Sequence, residues 1–345
     1  MKTKHTLGVF CISGLMALLA MARTPGEFSP PSRTFLFTYH ITLQDIPAGA
    51  QRVRVWIPRA VSDVHQTVVL KNVDGPARLR EMREPLFGNH ILYGEILHPQ
   101  PGPAEITVEY QVTRQEYSKG NYANLVKAGE APATTPKYLA RFLAPDRLVP
   151  IDGRIKELAD ENTRDKEGTV ERAHALYDYV FQTVRYDKSG TGWGRGDSLW
   201  VCGAKHGNCT DFHSLFISLA RAEGIPARFE IGFPVPTGKE GTIPGYHCWA
   251  EFFVNGVGWV PVDISEAWKD PKKHDYFFGT LDANRVQFSV GRDLILQPKQ
   301  DSGPLNYFIY PHVQVDGRSF EGIGKSFSYR ELAAPPGEVE QHAAR

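Results

Sequence analysis

Between residues 33 and 117 the apolar positions fall into short runs rich in Val, Ile, Tyr, Phe and Thr, at 33–44, 51–58, 66–72, 90–97 and 104–116. Pro and Gly clusters, such as Pro99, Pro101, Gly102 and Pro103, separate them. Runs of this composition and spacing predict strands, and their number suits a small β-sandwich domain over 33–117. Residues 118–150 read as a connector, with Ala131, Pro132, Ala133, Thr134, Thr135 and Pro136 at its centre. After Pro150 the period becomes helical: Val170, Ala173, Leu176, Tyr177, Val180, Phe181 and Val184 follow Thr169, a residue able to cap them.

A second helical stripe, Phe212, Leu215, Phe216, Leu219 and Ala220, predicts a core helix over 209–223 with one buried face. Asn208 is suited to its N-cap, and Gly224, Ile225 and Pro226 end it. Strands are then expected at 227–234, 246–254 and 258–264, the last two joined through Asn255 and Gly256. Further strand-like pieces lie at 285–290 and 307–315. The resulting second domain covers 151–330, and a frayed tail covers 331–345.

The chain's start has a different character. Lys2 and Lys4 precede a 14-residue apolar run over 7–20, and Ala20, Met21 and Ala22 give the small-x-small pattern of a cleavage site. Residues 1–22 are expected to be a signal peptide, and the mature protein is expected to be exported, periplasmic or secreted. The run is short for a membrane span. Phe10 before Cys11 makes a poor lipoprotein box. No later segment suits a span, so the mature form is expected to have no stable membrane span.

Across all 345 residues, 39 Lys+Arg balance 39 Asp+Glu, which argues against a nucleic-acid partner held by bulk charge. Apolar residues make up 41% and charged residues 23%, the ordinary balance of a folded globular chain. Three cysteines follow the leader: Cys202, Cys209 and Cys248. In an oxidising compartment an odd count leaves at least one thiol without an internal partner. A Cys202–Cys248 disulfide would make Cys209 the odd one, on arithmetic alone.

Cys209, as the first residue of a helix, meets unpaired backbone N–H groups and the positive end of the dipole. Both favour thiolate. Alternation along 246–254 puts His247, Trp249, Glu251 and Phe253 on one face and Cys248, Ala250 and Phe252 on the other. Asp263 ends the paired strand. If the hairpin sets Val254 opposite Val257, Asp263 faces Cys248 and misses the histidine. With Val254 opposite Gly258, Asp263 faces Trp249 and lies diagonally beside His247. Only the second register lets the carboxylate orient the imidazole, and Gly256 and Gly258 make the bulged turn it needs plausible.

The ordered set Gly207-Asn208-Cys209-Thr210-Asp211-Phe212, Gly224-Ile225-Pro226-Ala227-Arg228, Tyr246-His247-Cys248-Trp249-Ala250-Glu251 and Gly258-Trp259-Val260-Pro261-Val262-Asp263 resembles the transglutaminase-like cysteine superfamily, in particular its exported bacterial members. The likeness covers about residues 150–265. It implies an α+β fold: a papain/transglutaminase-like core, in which the helix bearing the cysteine packs on an antiparallel sheet, preceded by the N-terminal β-sandwich. It implies catalytic roles for Cys209 as nucleophile, His247 as base and acid, and Asp263 as orienting carboxylate. Trp193 and Trp200 are the candidates for an upstream oxyanion donor. The implied chemistry is acyl transfer from an amide of a peptide or protein substrate through an acyl-enzyme, with hydrolysis (cysteine protease or amidase) expected over amine transfer. Transglutaminase cross-linking and a non-catalytic exported binding protein are the alternatives. The partner of the N-terminal domain is not legible.

No cofactor is expected. Cys202, His206, Cys209 and His213 have a metal-like spacing that matches no common structural finger, so no metal ligand is assigned. The loop Ser189-Gly190-Thr191-Gly192-Trp193-Gly194-Arg195-Gly196 lacks the Gly-Lys-Ser/Thr ending of a phosphate loop and reads as a flexible border of a cleft.

Overall fold

Strand Ser32–Ile46 shows how sequence alternation becomes sheet. Phe35, Phe37, Tyr39, Ile41 and Leu43 occupy every second position and all are buried. The computed structural model describes residues 31–128 and 137–333. The signal peptide expected at 1–22, residues 129–136 of the connector and the tail from 334 lie outside the described residues.

Ser32–Ile46 pairs antiparallel with Gly102–Gln115 on one side and with Ile323–Glu331 on the other. The five-stranded sheet runs Glu240–Ile243, Ile323–Glu331, Ser32–Ile46, Gly102–Gln115, Gln66–Asp74. A second five-stranded sheet runs Arg318–Ser319, His312–Val315, Arg52–Pro58, His90–Leu97, Arg80–Arg83. Both sheets therefore contain strands from early and late in the described chain, and the described residues from Pro31 onward form one compact unit. Strands from both the expected 33–117 and 151–330 segments thus share these sheets. The long N-terminal strand has two hydrogen-bonding edges, and the second is satisfied only by the nine paired residues of Ile323–Glu331. Glu331, expected in the frayed tail, ends that strand and pairs with Arg33 at 2.8 Å.

A four-stranded antiparallel sheet, in the order Gly258–Val262, His247–Val254, Ala227–Pro234, Arg285–Val290, forms the second layer of structure. It joins the N-terminal strands through an aromatic cluster. Phe37 lies 5.2 Å from Phe233, Phe233 lies 5.2 Å from Phe288, and Tyr39 packs edge-on to Phe327 at 4.7 Å.

Helix Cys209–Ala222 packs on strand His247–Val254, with helices Arg154–Thr163, Gly168–Thr183 and Ser198–Ala204 around it. Every residue from Cys209 to Arg221 is buried, so the expected single stripe is instead burial all round. Its polar side chains are tolerated inside because each finds a partner. Arg221 donates to Ala144 O and Asp146 Oδ2, both at 2.7 Å, and Ser214 Oγ accepts from Arg292 Nη1 at 2.6 Å. Helix Gly168–Thr183 begins after Glu167, which makes no side-chain cap, and Thr169 lies inside it.

Candidate active site

The helix beginning at Cys209 is started by a capping box. Asn208 Oδ1 accepts from Thr210 N at 2.9 Å, and Asp211 Oδ2 accepts from Asn208 N at 2.9 Å. Cys209 is thus the first helical residue, and its own N–H has no intrahelical acceptor. Asp211 also accepts from Gly194 N at 2.6 Å and Gly196 N at 3.0 Å, pinning the end of the glycine-rich loop to the cysteine helix. Arg292 holds the same loop through Gly196 O and Arg195 O, each at 2.8 Å. The stretch expected to be flexible is therefore tied down at Gly194–Gly196. At Gly196 φ is +62°, and a Cβ would stand 2.3 Å from Ser214 Oγ, so only glycine fits.

The hairpin register decides the rest. Val254 pairs with Gly258 across a three-residue loop, followed by Phe253 with Trp259, Phe252 with Val260 and Ala250 with Val262. This register sends Asp263 to the face of His247. His247 Nε2 lies 2.7 Å from Asp263 Oδ2, leaving Nδ1 as the ring nitrogen available to the thiol. Asp263 is itself held from three further directions. Arg285 Nη1 donates to Oδ2 at 2.8 Å, while Ser265 Oγ and Glu266 N donate to Oδ1 at 3.2 and 3.1 Å. The same carboxylate caps helix Ile264–Lys269 and orients the imidazole.

Electrostatics complete the set. Burial alone would raise the Cys209 thiol, but hydrogen bonds from Cys248 and His247 and the imidazolium charge outweigh it, and its pKa falls well below the ordinary value. Burial likewise disfavours the imidazolium, yet Asp263 and the Cys209 sulfur raise His247 from 6.5 to about 10. Burial opposes ionisation of Asp263 too, and His247 and Arg285 hold it well below the carboxylate range. Each shift favours the charged form: thiolate, imidazolium and carboxylate. Cys209 is 2% exposed and His247 5%, so these charges interact away from bulk water, where each is strongest.

Cys248 points to the cysteine helix, 3.7 Å from Thr210 Oγ1; burial and the neighbouring Cys209 sulfur keep it a thiol. All three described cysteines are free, so Cys202 and Cys248 are not paired. His213 is a strut: its Nε2 accepts from Ile264 N at 3.0 Å, and burial lowers its pKa to about 4, leaving it neutral. Among the described residues no three His, Cys, Asp or Glu side chains converge as a metal shell.

Neither tryptophan singled out from the sequence is placed as a donor to the sulfur. Trp193 Nε1 donates to Gly190 O at 3.2 Å, and Trp200 packs against Gly192 and edge-on to His206. The upstream aromatic that senses the Cys209 charge is Tyr186: burial and then the sulfur's charge raise its phenol. It sits beside the site because its two-residue strand pairs in parallel with His206–Gly207. Sequence reasoning missed Tyr186, Arg285 and the second use of Asp211. Only Asp211 left a signal, the Asn-x-x-Asp spacing of a helix start.

Residues 156–264 match the family model described as the transglutaminase-like superfamily. An uncharacterized protein of Haemophilus influenzae is 32% identical over 212 residues, which is 52% of this chain and 58% of that protein. The uncharacterized protein YebA of Bacillus subtilis is 26% identical over 133 residues, 34% of this chain and 18% of YebA. The chain thus spans little more than half of the first relative and under a fifth of the second. Among solved structures, a protein of Cytophaga hutchinsonii provisionally named a cysteine protease superposes with a TM-score of 0.58. Its identity is 15% over 89% of this chain and 93% of that one, a likeness of fold.

Proposed function

Residues 156–264 being a domain of the transglutaminase-like superfamily, we propose that this chain is an exported thiol enzyme that cleaves amide bonds of peptide or protein substrates through Cys209, His247 and Asp263. One observation carries the reading: a buried cysteine at a helix N-terminus shares its histidine with a carboxylate 2.7 Å away. Such a set has the proton already on the imidazole, so no base is needed before attack.

The Cys209 thiolate adds to the carbonyl carbon of the substrate amide. The oxyanion that forms is met by the Cys209 backbone N–H, with the Tyr186 phenol as the second donor. His247 gives its proton to the departing amine as the C–N bond breaks, leaving a thioester on Cys209. Neutral His247 then takes a proton from water, whose oxygen attacks the thioester. Collapse releases the carboxylic acid and restores thiolate and imidazolium. Asp263, held by Arg285, keeps the imidazole's Nε2 side bonded so that Nδ1 faces the sulfur. Hydrolysis is favoured over amine transfer because water is abundant and no amine-binding group stands out. Export is supported by the leader pattern at 1–22, and no described helix is long and apolar enough to cross a membrane.

The test is intact-mass analysis after limited iodoacetamide at mildly acidic pH, on the mature protein and on His247→Ala. Rapid single-site labelling of Cys209 that collapses in the variant supports the ion pair; slow labelling equal in both removes it. Peptide amides, with and without an added primary amine, then separate hydrolysis from transfer by product mass.

A further inference from the structure

Away from the thiol, a cavity of about 410 Å³ opens between strands Arg80–Arg83, His90–Leu97 and Arg285–Val290. Its walls include Arg59, Ser62, Arg83, His90, Gln287 and Phe288. The volume lies in the range of small-molecule sites. No carboxylate stands among the lining residues, whereas two guanidinium groups do.

The hydrogen bonds around it set its charge. Arg83 Nε bonds to His90 Nε2 at 3.2 Å, and His90 Nδ1 is bonded to Glu81. Arg59 Nη1 donates to the same Glu81 oxygen at 3.1 Å. Glu81 pairs with Arg59, and no ion pair of Arg83 with a carboxylate is found among the described residues, so two guanidinium groups against one carboxylate leave the cluster a net positive charge. The other acids nearby are engaged elsewhere. Glu84 accepts from Phe87 N and Asn89 Nδ2 at 2.9 and 3.1 Å, and Asp63 accepts from His65 N and Gln66 N at 2.6 and 2.8 Å. Glu230 is paired with Arg228 at 2.8 Å and bonded to Gln287.

Two buried donors here lack acceptors among the described residues: Arg59 Nε–H and the Tyr110 hydroxyl. Tyr110 lies beneath the wall residue Phe288, its ring edge-on at 5.8 Å, and its hydroxyl feels the charge of Arg59. A buried donor left unsatisfied costs about 1–3 kcal/mol, and donors clustered with positive charge call for an acceptor carrying negative charge.

We propose that this cavity binds a small oxyanion-bearing ligand, a carboxylate or a phosphate, gripped by Arg59 and Arg83. Arg59, braced by Glu81, meets the anion from the buried side, and Arg83 closes over it from the exposed rim. Gln287 pairs with Gly232, which pairs with His247, so the backbone of this wall begins two strands, or about 10 Å, from that of His247. Anion binding here would not depend on whether Cys209 is a nucleophile.

The test is calorimetric titration of the full-length mature protein with inorganic phosphate, and with Ala-Ala dipeptide bearing a free or an amidated C-terminus. Saturable binding near or below about 1 mM is expected for phosphate or for the free dipeptide, and not for the amide. Phosphate alone would identify a phosphate site, and the free dipeptide alone a peptide-carboxylate site. Arg59→Gln and Arg83→Gln should each weaken binding about tenfold, while Cys209→Ala should leave it unchanged. Arg83 is exposed, so its variant keeps the fold. Phenylglyoxal mapping of the unmutated protein gives a second readout, with Arg59 and Arg83 protected by the bound anion. No saturable binding, or binding unchanged in both variants with no protection, overturns the proposal.

Discussion

Replacing Asp263 with Asn leaves the shape of the site nearly intact and removes the charge on which the ion pair depends. The amide oxygen introduced by Asp263→Asn can still accept from Glu266 N and so cap helix Ile264–Lys269. The imidazolium loses its main counter-charge, and burial then works against it without opposition. His247 stands at about 10 against an ordinary 6.5, a preference on the order of 5 kcal/mol for the protonated form, with Asp263 the largest favourable cause. Coulomb's law gives a similar size, roughly 4 kcal/mol for unit charges about 4 Å apart at an effective dielectric of 20. Losing most of it returns His247 to the neutral form at pH 7 and Cys209 to a thiol. The assay is the second-order rate of Cys209 alkylation by iodoacetamide as a function of pH, which needs no substrate. In the unmodified protein the rate should change only a few-fold between about pH 6 and 9, because the thiolate persists. In Asp263→Asn it should rise roughly 200-fold from pH 6 to pH 9, as for an ordinary thiol of pKa about 8.5. Circular dichroism must show the variant folded, since Arg285 is left with Asp282 as its remaining acidic partner. A folded variant with the same flat profile would refute the ion-pair account.

The His247 imidazolium also contributes to stability with a definite sign. Its folded pKa is raised, so the contribution is complete below about pH 6.5 and is lost as pH climbs through about 10; the melting-temperature gap between the unmodified protein and His247→Gln should therefore narrow from pH 8 to 10.5. Asp211→Ala removes the acceptor of three backbone N–H groups and should cost about 2–4 kcal/mol in denaturant melts, with new proteolytic cleavage near Gly194. Tyr186→Phe should lower kcat about 10–100-fold on any peptide amide turned over, with KM little changed, because an oxyanion donor acts on the transition state. An effect confined to KM would remove Tyr186 from that role.

Local physics wrote much of this protein into its sequence. The helix beginning at Cys209 follows from Asn208, the helical stripe after it and Gly224; the strands Ala227–Pro234 and Arg285–Val290 stand where their composition puts them. Period and capping act between residues a few positions apart, so a linear reading recovers them. The hairpin was legible as a choice of two registers, and only the three-residue loop, with Gly256 and Gly258 at positive φ, selected the one that brings Asp263 to His247. What no stretch of sequence announces is which distant strands pair. Ile323–Glu331 lies along Ser32–Ile46 because backbone donors and acceptors are the same in every residue, and a ladder between segments nearly 300 positions apart leaves little trace in side-chain chemistry. For the same reason Arg285 gives no sign that it will hold Asp263. The sequence alone determined the elements and the three chemical groups; tertiary pairing decided their register, their charge states and the company they keep.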